Sequence, residues 1–323
     1  MLEKLLEIDQ VHLHFSEDGK QLLNLTIAFI MFGVALELRP SDFKNIFKRP
    51  KSPIVGILSQ FVLLPLVTFL LVLALKNIIT PTIALGMILV AACPGGNISN
   101  FISALARGNV ALSVSLTAFS SIAALVMTPL NFTIWGNLFL RFYHHPAGIT
   151  TLPEISIDLW SVLETIFIIL GIPLALGIAF ASRFPKTTEK IIVTIKRLSI
   201  LAFAAIVVMI FTKNYDYFVR YIGYIFIIVL VHNALALAVG YFAGAAGRLP
   251  FQDRKTIAIE TGIQNSGLAL ALLFNPRVFS PDLQLGGMAF IAAWWGVWHI
   301  VAGMTVAGFW SGFSLKPRPS EEK

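Results

Sequence analysis

One carboxylate inside an apolar segment is the residue in this sequence with the clearest capacity for chemistry. Glu260 follows the run KTIAI, in a stretch long enough to lie in a membrane. A charged side chain at the centre of a bilayer costs about 2.5–3.5 kcal/mol, so it is expected to serve a function. A proton, a basic partner or a metal cation could neutralise it. The cores of the other apolar segments contain no Lys or Arg, which disfavours an internal salt bridge.

Neutral oxygen donors accompany this carboxylate. Thr261, Gln264 and Asn265 follow it directly, and Ser113 and Thr117 share one face of another apolar segment because they are four residues apart. A carboxylate among neutral oxygens is typical of a site for a hard cation such as sodium, whereas zinc and copper prefer nitrogen or sulfur ligands. The alternative is a protonated Glu260 near an interface, with the hydroxyls bonded to backbone carbonyls.

Helix-breaking residues interrupt two apolar segments where the bilayer is driest. Unpaired backbone groups in hydrocarbon cost several kcal/mol each, so such breaks persist only where protein or a water-filled cavity supplies partners. The pattern predicts two discontinuous helices with a binding site near the midplane. Close helix packing is the alternative role of the paired glycines. The interrupting residues are Pro94, Gly95, Gly96, Gly262 and Gly267.

For the other polar residues in apolar segments, an ordinary packing role is the alternative to a role as a ligand. Gln60 is of a kind that often joins helices by hydrogen bonds, and His232, Asn233 and His299 are interpreted first as packing residues. Cys93 is interpreted as a small core residue. The half-helix that begins near Asn97 would present free N–H groups and a positive dipole end, which favour an anion.

The composition shows which elements must hold these residues. Hydrophobic residues make up 57% of the chain and charged residues 13%, with a mean hydropathy of +0.81. A soluble domain carries about twice that charged fraction, and the continuous apolar runs do not alternate as in a β-barrel. The sequence therefore predicts an all-α polytopic membrane protein, with no nucleic-acid module. The predicted spans are 21–38, 53–75, 82–106, 110–135, 159–182, 198–212, 221–247, 255–274 and 287–313.

The distribution of positive charge predicts the orientation. Placing the N-terminus outside puts most of the 24 Lys and Arg residues on the cytoplasmic side, as the positive-inside rule requires. Residues 1–20 are then an extracytoplasmic segment with a short interfacial helix, and residues 314–323 are a cytoplasmic tail. The expected location is the inner (plasma) membrane.

The order of the spans predicts an inverted repeat. The third span runs inward and the eighth runs outward, each between two long helices, which is the arrangement of inverted-topology transporters. The second span then pairs with the seventh, the fourth with the ninth and the first with the sixth. The fifth span has no counterpart.

The two interrupted motifs, ACPGGNISNFISALARGNVALSVSLT and IETGIQNSGLALAL, resemble those of the bile acid:sodium symporter family. The resemblance extends from LELRPSDF to the VWH of the last span. It implies a nine-span transporter domain over 21–313, with two crossing discontinuous helices in a core domain and a second, panel domain. The panel would comprise about 21–52 and 159–220, and the core about 53–140 and 221–313.

The resemblance also implies the function and the site residues. The chain would couple sodium to symport of an organic anion, such as a bile acid, pantoate or a keto acid, by alternating access, with two sodium ions and no organic cofactor. Thr261 and Ile263 differ from the family pattern but would contribute main-chain oxygens. The first sodium site would comprise Ser99, Asn100, Ser113, Thr117 and Glu260. The second would comprise Gln60, Glu260, Thr261, Ile263 and Gln264, and the substrate would contact Asn97, Asn265 and His299.

Three other functions remain open from the residues. A proton-coupled carrier would keep Glu260, an arsenite-type permease would use Cys93 as a soft ligand, and a membrane sensor would bind its ligand without moving it. An enzyme is not expected, because the sequence contains no nucleophile and base in a recognisable arrangement.

Overall fold

The chain is helical throughout the described residues of the computed structural model, apart from turns and one isolated bridge between Gly95 and Gln264. The structure describes residues 2–9, 17–38, 50–96, 98–143, 157–213, 215–280, 283 and 285–312. The helices are α1 (Leu2–Asp9), α2 (Glu17–Ala35), α3 (Lys51–Ala74), α4 (Pro81–Ala92), α5 (Ile98–Leu105), α6 (Val110–Phe142), α7 (Leu159–Arg183), α8 (Pro185–Lys213), α9 (Tyr215–Ala246), α10 (Phe251–Gly262), α11 (Ser266–Leu273) and α12 (Gly286–Ser311).

Five of these helices are long and apolar enough to cross a bilayer, namely α3, α6, α7, α9 and α12. The chain is therefore a multi-pass membrane protein. Each of the nine predicted spans coincides with a helix or a pair of half-helices, but nine crossings remain a prediction. The half-helices α4 and α5 are about 18 and 12 Å long at 1.5 Å per residue, so only the pair together matches a hydrocarbon core of about 30 Å.

The interrupted helices lie in the interior of the protein. Every residue of α4 and of α11 is buried, and so are nine residues of α10, including Glu260. The helix α4 packs against α3, α6 and α12, while α10 packs mainly against α9. The surrounding helices thus supply the partners that interrupted backbone needs in a membrane.

A second group of helices packs around α2. Both α7 and α8 contact α2, and a Cβ on Gly177 of α7 would clash with the Cβ of Ala35. This approach requires glycine. The three helices fall in the ranges that the resemblance assigns to a panel domain, and that division into two domains remains a prediction.

The N-terminal helix α1 packs on the protein itself. Leu5 and Ile8 are fully buried, and α1 contacts α9 and α12. At its end, the Asp9 carboxylate accepts hydrogen bonds from Thr80 Oγ1 (2.7 Å) and from Thr82 Oγ1, at the start of α4. The apolar face of this helix, which the sequence assigns to a membrane interface, thus packs here against protein.

Candidate functional site

The two helix breaks pair with each other through their backbones. The Gly96 N–H donates to the Ile263 carbonyl over 2.7 Å, and the Asn265 N–H donates to the Pro94 carbonyl over 2.8 Å. These bonds flank the bridge between Gly95 and Gln264. Each break therefore satisfies backbone groups that the other leaves unpaired, as the membrane interior demands.

The local sequence explains where each break falls. Proline disfavours helical backbone in the residue before it, and Cys93 is accordingly extended, with ψ 158°, so that α4 ends at Ala92. In the second break, Ile263 is extended and ends α10. The Asn265 side chain then caps α11 by accepting a hydrogen bond from Leu268 N at 3.1 Å.

A glycine is required where the first break approaches the second. A Cβ on Gly95 would lie 2.9 Å from Gln60 Nε2 and 3.1 Å from Glu260 Oε2. Both distances are shorter than ordinary contacts, so an added methyl group would enter the space between these polar side chains. This gives Gly95 a role in the site as well as in the turn.

The Glu260 carboxylate lies in a shell of hydroxyl groups. Its side chain is 1% exposed. Ser99 Oγ donates to Glu260 Oε1 over 2.6 Å, Ser113 Oγ donates to the same oxygen, and Thr117 Oγ1 donates to Oε2 over 3.1 Å. Three helices, α5, α6 and α10, therefore meet at one negative charge.

The remaining member of the first predicted sodium site is adjacent. Thr117 Oγ1 lies 3.3 Å from Asn100 Oδ1, so the structure brings together all five residues predicted for this site. Sequence analysis missed Ser103, which accepts a hydrogen bond from Ser113 Oγ at 3.2 Å. Ser103 is four residues after Ser99, and that helical spacing was the signal for it.

The second predicted site contains amide groups with unused hydrogen-bonding capacity. Gln264 Nε2 donates to the Thr261 carbonyl over 2.7 Å, while Gln264 Oε1 and Gln60 Nε2 are buried without a hydrogen-bond partner. The Ile263 carbonyl accepts from Gly96 and has a second lone pair. These oxygen-rich groups around Glu260 fit a hard cation such as sodium.

Two adjacent polar residues on α9 bond to other helices, and one of them, Asn233, supports the second break. Asn233 Nδ2 donates to the Gly262 carbonyl over 2.7 Å, and His232 Nε2 lies 2.9 Å from Thr68 Oγ1. Asn233 therefore holds a carbonyl at the very end of α10. Sequence analysis interpreted both residues as packing residues, because a single sequence does not show which backbone group a side chain faces.

A cavity of about 540 Å³ lies beside the breaks, a volume within the usual range for small-molecule sites. Of the residues predicted to contact substrate, Asn265 and His299 line this cavity, and Asn97 lies outside the described residues. Gly96, Gly267 and Asn100 line it too. The full described lining is Ile27, Ile30, Met31, Gly33, Val34, Glu37, Gly96, Ile98, Asn100, Phe101, Val193, Arg197, Ser199, Gln264, Asn265, Ser266, Gly267, His299 and Ile300.

The described residues contain no cluster of a kind that binds soft metals. Cys93 is fully buried at the end of α4, and no group of three His, Cys, Asp or Glu residues converges within the described part of the chain. The site is instead one carboxylate with hydroxyl, amide and carbonyl oxygens, next to a largely apolar cavity.

Comparisons with known proteins agree with this chemistry. Residues 24–221 match the model of the sodium bile acid symporter family. An uncharacterized sodium-dependent transporter of Bacillus subtilis is 31% identical over 90% of this chain and 83% of its own length. A probable chloroplast sodium/metabolite cotransporter of Oryza sativa is 29% identical over 84% of this chain and 64% of its own length. The ileal sodium/bile acid cotransporter of Cricetulus griseus is 27% identical over 82% and 72%, respectively.

Proposed function

The chain belongs to the sodium bile acid symporter family, and we propose that it is a secondary active transporter that couples sodium to symport of an organic anion. The family consists of transporters, so the chain is a transporter rather than an enzyme. The relatives are named for bile acid and metabolite cotransport. On that basis the proposed substrate is a bile-acid-like anion or another small organic anion, and the resemblance of the two motifs adds pantoate and keto acids as candidates.

The observation that carries this proposal is the buried Glu260 carboxylate at the meeting point of the two breaks. Its hydroxyl neighbours come from α5 and α6, whereas the carboxylate itself belongs to α10. A cation bound there would join the two interrupted regions. Serine and threonine hydroxyls can turn their lone pairs toward an ion that replaces the hydrogen bonds they now donate.

Two sodium ions would be coupling ions in this mechanism. The first would lie with Ser99, Asn100, Ser113, Thr117 and Glu260. The second would lie with Gln60, Glu260, Gln264 and the main-chain oxygens of Thr261 and Ile263. The unpartnered buried atoms Gln264 Oε1 and Gln60 Nε2 support the second site, since an amide can rotate to present its oxygen.

Sodium and substrate would favour each other's binding through the breaks. Gly96, Gln264 and Asn265 line the cavity and also form the paired backbone segment. An ion that fixes this segment would shape the cavity wall, and thermodynamic linkage makes the effect reciprocal. Alternating access would then follow from rocking of the core against the panel, with the nine spans arranged as an inverted repeat.

The decisive experiment removes the Glu260 charge and measures transport. We expect purified wild-type protein in proteoliposomes to accumulate radiolabelled cholate or pantoate under an inward sodium gradient, and Glu260→Ala and Glu260→Gln to lose this sodium-dependent uptake. Glu164→Gln, at an exposed ion pair with Arg277, is the matched control and should transport as wild type. Thermal unfolding of each variant verifies that it is folded.

Other outcomes would identify the rival functions. Full transport by Glu260→Ala in sodium-free choline buffer would overturn the mechanism. Uptake by the wild type driven by a pH gradient in choline buffer would indicate a proton-coupled carrier. Binding of labelled ligand without accumulation inside the vesicles would indicate a sensor.

A further inference from the structure

The cavity beside the breaks contains a cation that sodium coupling does not use. Arg197 of α8 is the one Arg or Lys among the described residues that line it. Its guanidinium makes no hydrogen bond or ion pair with another described residue. An arginine that lines an apolar cavity and has no partner among the described residues is suited to bind an anion, because it offers five N–H donors in a fixed fork.

Arg197 lies within a helix that begins well before the predicted sixth span. Hydropathy placed it just before the sixth span, 198–212, and therefore in a cytoplasmic connection. In the structure, α8 begins at Pro185, so Arg197 lies about 18 Å along the helix axis. The Arg197 side chain is exposed and lines the cavity, so a ligand in the cavity can reach it.

A buried hydroxyl lies close to Arg197 in the chain and also lines the cavity. Ser199 is 7% exposed, and its Oγ has no hydrogen-bond partner. A Cβ on Gly33 of α2 would lie 3.3 Å from this Oγ and 2.9 Å from Ile195 Cγ2. The close packing of α8 on α2 thus covers this hydroxyl, and a ligand in the cavity would reach it after the Ser199 side chain rotates.

The lining from the second break, α11 and α12 is polar but uncharged, and includes Gln264, Ser266 and His299. Their atoms Gln264 Oε1, Ser266 Oγ and His299 Nδ1 are buried without hydrogen-bond partners. The lining also contains aliphatic residues such as Ile27 and Met31 of α2. An amphipathic ligand with a charged group, an apolar body and a second polar group matches this composition.

Glu37 is the carboxylate among the described lining residues. It makes an interaction of its own, and Arg197 is not its partner among the described ion pairs. The guanidinium on the α8 wall is therefore open to a negatively charged ligand group.

We propose that Arg197 and Ser199 form an anion subsite on α8 that binds the carboxylate of an amphipathic substrate, while the uncharged groups of α11 and α12 bind its other end. This inference rests on the proposed transport function, since it names the residues that select an anion in the same cavity. The guanidinium would bind the carboxylate through two parallel hydrogen bonds, and the Ser199 hydroxyl would donate a third after its side chain rotates toward the cavity.

Ligand binding with a matched neutral analogue tests this subsite. The protein is reconstituted in nanodiscs, and the affinities of cholate and of its uncharged primary amide are measured by competition against tritiated cholate. We expect Arg197→Gln to weaken cholate binding about tenfold to a hundredfold, the range for a hydrogen-bonded charged group, and to change amide binding less than about twofold. Arg197→Lys should retain part of the preference for the acid, because it keeps the charge and loses the fork.

The control is Arg183→Gln, which removes an exposed arginine at the end of α7 that does not line the cavity. Ser199→Ala should reduce cholate affinity by a smaller factor than Arg197→Gln. Equal loss of acid and amide binding in Arg197→Gln would assign Arg197 a structural role and overturn the proposal. Unchanged cholate affinity in that variant, or absence of cholate binding by the wild type, would overturn it as well.

A measurement of sodium binding distinguishes failure of this subsite from failure of the proposed sodium coupling. Arg197→Gln should retain the sodium-dependent rise in unfolding temperature of the wild type, because Arg197 does not contact Glu260. Loss of the acid preference with intact sodium stabilisation supports the subsite. Sodium-independent transport by Glu260→Gln would instead refute the coupling mechanism, whatever the binding data on Arg197.

Discussion

At the scale of single residues, the hydroxyls around Glu260 act as interchangeable donors and acceptors. In the structure, Ser99, Ser113 and Thr117 donate to the carboxylate. With a cation present, the same oxygens can coordinate it, because a hydroxyl carries one proton and two lone pairs. A buried charge can therefore be satisfied in both states, as a site that must fill and empty in each transport cycle requires.

Replacing Ser113 by alanine should weaken sodium binding selectively. Ser113→Ala removes one donor to Glu260 and one oxygen from the proposed first site, so we expect the sodium Kd to rise about tenfold, the equivalent of about 1.4 kcal/mol. The measurement is the increase in unfolding temperature with NaCl, against choline chloride at equal ionic strength. Ser115→Ala is the control, because Ser115 is buried on the same helix and bonds only to the Ala111 carbonyl. Equal sodium responses in the two variants would contradict the assignment of Ser113.

The sequence predicted much of this site, since the residue types carry most of the information. Glu260 is unusual in an apolar segment, and hydroxyls at helical spacing identify one face. Ser103 and Asn233 were missed as site residues, because their roles depend on which atom of another helix their side chains contact. Arg197 was assigned to a connection because hydropathy averages over a window and does not detect a cavity beside a helix.

At the scale of elements, the two breaks are stable because they pair. The half-helices α5 and α11 have only eight residues each, too short to be stable alone. Their burial, and the two backbone bonds between the breaks, replace the hydrogen bonds of a continuous helix. The sequence located the breaks through Pro94 and the glycines, but it contained no direct sign that the breaks bond to each other.

Adding one methyl group at the first break should distort the sodium sites. Gly95→Ala would place its Cβ 2.9 Å from Gln60 Nε2 and 3.1 Å from Glu260 Oε2, so both side chains must move. We expect about a fivefold to hundredfold loss of sodium affinity, because the cost of an overpacked interior is about 1–3 kcal/mol. Gly223→Ala, where an added Cβ meets nothing within 4 Å, should leave sodium-dependent uptake unchanged. Normal sodium affinity in Gly95→Ala would show that neither proposed site extends to this point.

The docking of α1 should depend on pH through Asp9. Burial raises the pKa of Asp9 from 3.8 to about 6, against the opposing effect of hydrogen bonds from Thr82 and Thr80. The docked helix thus binds the proton more tightly than the undocked helix. Docking is strongest below about pH 4 and weakens as the pH rises through about 6, by about 3 kcal/mol in total. Tyr143 also faces this carboxylate, and its pKa is raised by burial and by the Asp9 charge.

Hydrogen exchange of residues 2–9 measures this effect. In wild type, protection should fall between pH 4.5 and pH 7.5 after correction for the intrinsic exchange rate. In Asp9→Asn, which cannot ionise, the corrected protection should stay constant. Glu189→Gln, at an exposed position of α8, is the control and should follow the wild type. The same pH dependence in Asp9→Asn would assign the effect to another group.

At the scale of the whole molecule, the long apolar runs of the sequence were the most informative feature, because they predicted the positions of the helices. Nine apolar runs predicted where helices lie, because bilayer thickness imposes a minimum length on each span. The assignment of α1 to a membrane interface illustrates the limit of this argument. Leu5 and Ile8 would be buried equally well by lipid or by α9 and α12, and a hydrophobic face does not specify which surface covers it.

Orientation is a property of the entire chain, and the positive charges predict that the N-terminus lies outside. The structure contributes two exposed positions for a direct test. Lys76 lies in the turn between α3 and α4, and Lys186 lies at the start of α8. Three predicted crossings separate them, of which the first is the interrupted pair α4 and α5. The two lysines therefore lie on opposite faces only if that interrupted pair crosses completely.

Single-cysteine labelling tests orientation and crossing together. The only native cysteine, Cys93, is buried and is first replaced in Cys93→Ala. In intact cells or spheroplasts, a membrane-impermeant maleimide should label Lys76→Cys directly and label Lys186→Cys only after permeabilisation. The reverse pattern would place the N-terminus inside. Labelling of both positions from one face would mean that α4 and α5 together do not cross, because an even number of crossings then separates the two sites.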